Sequence, residues 1–161
     1  MAKRVLMVIT PARGGDLVSA ARSAAAMARE SGGGVRMAWM RPLPPPRFDH
    51  HDRLLADTDR EMARLTAAAL EQMAALAWEF GEVDVEPVVR FGRLATELAI
   101  EAHAWSPDLI GLAAPARPGP RHRFRAWYLG RMVSVPVVLL PIDRPAAGPR
   151  RRESMALPAF R

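Results

Sequence analysis

Five short apolar runs, each bounded by turn residues, recur along this chain and limit what it can fold into. They are Val5–Ile9, Val35–Met40, the valines from Val83 to Val89, Leu109–Ala113 and Val137–Leu140. Runs this short, with Gly, Pro or charge at their ends, fit strands buried in a parallel sheet better than helices. The stretches between them change period. Leu17, Ala21, Ala24 and Ala28 fall at helical spacing behind Asp16, which is read as an N-cap, and Gly32-Gly33-Gly34 closes that helix. Met62, Leu65, Ala69, Met73, Leu76 and Phe80 recur at three and four, predicting a long helix from about Asp52 to Phe80 that Gly81 stops. Leu94, Leu98, Ala102 and Trp105 mark a third helix, and a short fourth is expected from Trp127 to Val133.

Strand and helix therefore alternate five times without an internal repeat. Right-handed crossovers turn that alternation into an α/β, doubly wound, five-stranded parallel sheet with helices on both faces. Pro87 assigns the third strand to an edge, because a central strand needs the amide that proline lacks, and the expected order is 3-2-1-4-5. Residues 1–142 are expected to form this domain and residues 143–161, rich in Pro, Ala and Arg, a disordered tail.

Composition excludes several classes. With no cysteine there is no disulfide, thiolate metal site or cysteine nucleophile. No apolar run approaches the roughly 18 residues that span a bilayer, and the first ten residues are too short on apolar length for a secretory signal. The expectation is a cytoplasmic protein with no membrane partner. The net charge of +6 is concentrated: Ala114–Arg131 holds five arginines and no acid, and residues 143–161 hold five arginines against two acids. A basic loop and tail on a slightly acidic body do not make the stripe that nucleic acid requires. An acidic protein partner is a better fit to the tail.

No catalytic constellation stands out. Ser19, Ser23, Ser31, Ser106 and Ser134 lack a nucleophile-elbow context, and no phosphate-loop lysine motif occurs. His50-His51-Asp52 is read as a solvated helix start rather than a metal site, because adjacent loop side chains seldom chelate one ion. His103 and His122 are read as surface and loop residues, and Glu97 and Glu101, four apart, as a solvated helix face. A non-enzyme without metal is expected.

Three blocks now carry a resemblance: VLMVIT at the start, VVRFGRLATELAIEAHAWSPDLIGLAA, and GRMVSVPVVLLP. In order and spacing they resemble the universal stress protein family, with Gly92, Asp108-Leu109-Ile110 and Pro136-Val137-Val138 matching its pattern over about Lys3 to Pro141. The resemblance implies a stress-response regulator and a homodimer formed through the last strand, here Val137, Val138, Leu139 and Leu140. Nucleotide-binding members carry G-x2-G-x9-G-[S/T] after the fourth strand and an Asp at the end of the first. Carried over, those positions fall on Ala113, Ala116, Gly130 and Arg131, and on Thr10. Alanine in place of glycine blocks close backbone approach to phosphate, and Pro115, Pro118 and Pro120 remove three amides. The expectation is a regulator that does not bind ATP in the family's usual manner and needs no cofactor. The alternative is ATP or another anionic nucleotide held by side-chain forks of Arg117, Arg121, Arg123 and Arg125.

Overall fold

The computed structural model describes residues 4–10 and 16–143. The loop expected at Pro11–Gly15 lies outside those residues, as does the expected tail apart from Asp143. Strand β1 (Val5–Ile9) is the centre of the sheet, and all five of its residues are buried. It pairs in parallel with β2 (Val35–Arg41) on one side and β6 (Leu109–Pro115) on the other. Strand β5 (Val85–Phe91) pairs beyond β2, and β7 (Val137–Ile142) beyond β6. The order β5-β2-β1-β6-β7 is the expected 3-2-1-4-5 once a small separate hairpin is set aside.

Because β1 is covered on both faces, its apolar residues divide between two cores. Val5, Met7 and Ile9 pack with α1 (Val18–Arg29) and α2 (Thr58–Ala77), while Leu6 and Val8 pack with α3 (Leu94–Trp105) and α4 (Pro120–Val133). Helix α1 meets the sheet through five buried alanines, Ala20, Ala21, Ala24, Ala25 and Ala28, which let its backbone lie close. Gly111 of β6 serves the same close packing. A Cβ there would stand 2.5 Å from Leu140 Cδ1.

Both edge strands carry a proline where it costs no ladder bond. Val35 N–H donates to Asp84 O (2.8 Å) and Gly92 N–H to Arg41 O (2.8 Å), so the even-numbered residues of β5 face β2 and Pro87 faces outward. Ile110 N–H donates to Pro136 O (2.9 Å), so Val138 and Leu140 bond β6 while Val137, Leu139 and Pro141 face the open edge. Past β7, Asp143 exchanges two backbone bonds with Asp16, at 2.8 and 3.1 Å. Asp16 is not the N-cap of α1, which is Leu17. Its Oδ1 instead accepts from Val18 N–H at 3.0 Å.

Three further expectations fail, each for an identifiable reason. The long helix starts at Thr58, not near Asp52, because residues 47–56 form a hairpin of β3 (Arg47–Phe48) and β4 (Leu54–Ala56). Asp49 Oδ1 accepts from His51 and Arg53 amides at 2.8 and 2.9 Å and closes that turn, while Asp57 caps the helix by accepting from Arg60 N–H at 2.9 Å. The fourth helix is 14 residues long and begins at Pro120, where a proline at N1 is preorganised for helix rather than for loop.

The third failure is Glu101, which is 0 % exposed rather than solvated. Its Oε1 accepts from Arg36 Nη1 at 2.5 Å, and its Oε2 from Arg90 Nη2 and Nε at 2.7 and 2.9 Å. Arg36 also grips Glu86 through Nε and Nη2, at 3.0 and 2.6 Å. Burial pushes the Glu101 carboxyl up, but the bonds and charges of Arg36 and Arg90 outweigh it and hold the group below the ordinary carboxylate range. A depressed folded-state value contributes stability above the unfolded value of about 4, lost as pH falls through the folded value. Glu101→Gln leaves two arginines without their counter-charge and is expected to cost about 3 kcal/mol at neutral pH. Urea unfolding should show that deficit narrowing in acid, as the wild-type carboxyl protonates.

Candidate functional site

The carboxyl ends of β1, β2 and β5 open onto a cleft of about 530 Å³, a size typical of small-molecule sites. Thr10 lines it from the end of β1, Met40 and Arg41 from β2, Pro42 and Leu43 from the following loop, and Gly92, Arg93 and Leu94 from the turn into α3. Arg125 of α4 completes the wall. Three arginines from three elements thus border a mainly apolar hollow, with no acid among its lining residues. This is the carboxyl-edge position where ligands of open α/β sheets bind.

Gly92 shapes the wall next to α3. Its φ is +154°, which side-chain-bearing residues rarely adopt, and a Cβ there would stand 2.5 Å from Glu97 Oε1. The half-buried Glu97 lies in the first turn of α3, where a carboxylate is favoured by the helix dipole. Gly92→Ala is expected to lower stability by about 1–3 kcal/mol. Adding Glu97→Ala should relieve the steric part only, so a melting temperature fully restored in the double variant would show that backbone strain is absent.

The residues singled out from the sequence do not all converge. Thr10 lies in the cleft, Ala113 is half-buried within β6, and Ala116 and Arg117 are exposed in the turn after it. Gly130 and Arg131 sit in the last turns of α4, about 15 Å along the helix from its start. Gly130 packs there on Val135 O and Val137 Cγ2, both 3.4 Å from where its Cβ would be. The helix N-terminus that would face a phosphate is Gly119-Pro120, which has no side-chain cap. Arg121, Arg123 and Arg125 belong to α4 rather than to a loop, and of these only Arg125 lines the cleft.

Arg41 and Arg93 were not singled out from the sequence. Their signal was available, since both follow apolar strands at the edge where ligands bind. Among the described residues, no group of three His, Cys, Asp or Glu side chains gathers as for a metal. The rings of His50 and His51 meet at a 45° tilt in the β3–β4 turn, their centroids 3.8 Å apart. His103 is exposed, and the half-buried His122 has no hydrogen-bond partner for Nδ1 among the described residues.

A doubly wound five-stranded parallel sheet in this order, with helices on both faces and a cleft at its carboxyl edge beside the turn into α3, defines a three-layer α/β class of protein. The family model described as "Universal stress protein family" matches residues 1–141, and the chain belongs to that family. Solved structures agree on the fold. A universal stress protein in complex with cAMP shares 16% identity at a TM-score of 0.56, over 88% of this chain and 98% of that one. The universal stress protein from Archaeoglobus fulgidus in complex with dAMP shares 15% identity at a TM-score of 0.51, over 87% and 98%. UspA from Lactobacillus plantarum shares 16% at 0.56, over 87% and 99%. No curated protein matches the sequence.

Proposed function

We propose that this protein is a non-catalytic, cytoplasmic regulator of the stress response that binds a small anionic ligand rather than ATP in the family's usual manner. The observation that carries the reading is the convergence of Arg41, Arg93 and Arg125 on the cleft, beside a loop that lacks the phosphate-cradling glycines. Guanidinium forks bind phosphate oxygens by two parallel bonds and need no close backbone approach. A nucleoside monophosphate fits this chemistry: an apolar hollow for the base and cationic side chains for one phosphate. Structural relatives are described in complex with cAMP and dAMP, which supports the same class.

Thermal melts with AMP, cAMP and ATP test it. A monophosphate at about 100 times its Kd should add roughly 2.7 kcal/mol, or about 5–11 °C in Tm. Arg125→Ala and Arg41→Ala should each remove most of that shift without lowering the unliganded Tm by more than about 1 °C, since neither guanidinium has an ion-pair partner among the described residues. No shift with any of the three nucleotides would leave a regulator that uses no nucleotide.

The second part of the reading is a homodimer through β7. Outward-facing Val137 and Leu139 offer two N–H and two C=O groups, and an unpaired apolar edge of this kind favours association. The side chains of Val138 and Leu140 point into the core shared with α1, so a charge at Val138 would damage the fold along with any interface. Leu139→Pro is the cleaner test, because it removes an outward amide, as Pro141 already does, and trims a side chain that is only half-buried against the α3–α4 core. Light scattering at micromolar concentration should find a wild-type dimer and a folded monomeric variant. A monomeric wild type would refute this part.

A further inference from the structure

Helix α4 is apolar on two opposite faces, and only one of them is used by the fold. Ala126, Leu129 and Val133 face the sheet. On the other side Phe124, Trp127, Tyr128 and Arg131 follow the i, i+3, i+4, i+7 spacing of a continuous stripe. The three aromatics are 64%, 57% and 46% exposed, and Met132 beside them 48%. They contact one another, with ring centroids 5.7 Å apart for Phe124–Trp127 and 6.4 Å for Phe124–Tyr128, and Arg131 lies over the Trp127 ring at 5.5 Å. Arg121 and Arg123 flank the stripe, Arg117 precedes the helix, and no acid occurs between Asp108 and Asp143.

We propose that this face of α4 seats the protein on an anionic lipid surface, with Phe124, Trp127 and Tyr128 at the headgroup–acyl boundary and the arginines on the headgroups. The charge selects the occupant. A second copy of α4 would set the same arginines against each other, whereas a negatively charged plane complements all of them at once. The placement agrees, because the stripe lies on the side of α4 opposite the residues that face the sheet and is exposed along its length. Trp and Tyr favour the membrane interface for their amphipathic rings, and Arg can keep its charge at the headgroups while burying its stem. Attachment of this kind needs no spanning segment, and indeed no described helix is long and apolar enough to cross a membrane. The inference is independent of the cleft.

The experiment is co-sedimentation of the full chain with vesicles of phosphatidylcholine alone and of phosphatidylcholine mixed with phosphatidylglycerol. Binding is expected only to the mixed vesicles and should weaken with added salt. Phe124→Ser with Trp127→Ser should reduce it roughly tenfold or more, and Arg121→Gln or Arg131→Gln roughly fivefold each. Trp127→Phe should retain most of it, and an unchanged Tm would show that the exposed substitutions spare the fold. Residues 144–161 carry five further arginines and are tested as a separate peptide competing for the same vesicles. Full displacement by that peptide, or binding indifferent to the loss of Phe124 and Trp127, overturns the proposal. Failure to bind the mixed vesicles also overturns it, and loss of self-association in the serine variant would then reassign the face to a protein contact.

Discussion

The carboxylate of Glu101 is the constraint on which the α3 side of the molecule depends. It is fully enclosed and held by guanidinium groups from two neighbouring strands, so α3 is tied at once to β2 and β5. Helix α3 runs antiparallel to those strands, with Glu101 near its far end and Gly92, Arg93 and Leu94 at its start beside the cleft. Pinning the far end fixes where the start lies, and with it one wall of the ligand-sized hollow. A buried ion pair is weak evidence for stability in itself, since desolvation offsets much of the Coulomb gain. What it supplies here is position: an apolar substitute could pack as well but would not specify which two strands the helix must straddle. Trp105 extends the arrangement, lying 5.0 Å from the Arg36 guanidinium.

On the opposite face the constraint is steric rather than electrostatic. Five alanines of α1 and the missing side chain of Gly111 bring helix and sheet together where larger residues would hold them apart. The two faces thus use different means to the same end, one small side chains and the other a shared charge. Neither core extends to the outer edge of β7, whose only backbone partner at that edge among the described residues is Asp16, near the strand's end.

These differences explain which features are legible in the sequence. Strand order can be read because one proline, Pro87, excludes a central position, and because a strand buried on both faces leaves an unbroken apolar run such as Val5–Ile9. Glu101 cannot be read, because helical spacing places it beside Glu97 as readily in water as in a core. Its partners Arg36 and Arg90 are 65 and 11 residues away, and only the strand pairing brings them together. The start of α4 is hidden for a different reason. Pro-Gly-Pro signals a loop by composition, yet a proline at the first helical position and a glycine before it are also a helix start. Gly130 accordingly lies in the last turns of α4, away from that N-terminus. The cleft itself was legible only as an edge of the sheet, since Arg41 and Arg93 acquire meaning from the strands they terminate.

The replacement of amides by guanidinium groups has consequences for what the cleft can discriminate. A glycine-rich loop presents backbone N–H groups at fixed positions and follows a phosphate chain through several oxygens. Arginines reach from separate elements, and each clamps one pair of oxygens with the geometry of its fork. Arg41, Arg93 and Arg125 line the cleft from β2, the β5–α3 turn and α4, so they come from three separate elements rather than from one loop. On the proposed reading, clamps from separate elements suit a compact anion better than an extended polyphosphate. Helix α4 borders the cleft through Arg125, whereas Phe124 and Tyr128 of the same helix are exposed on another side.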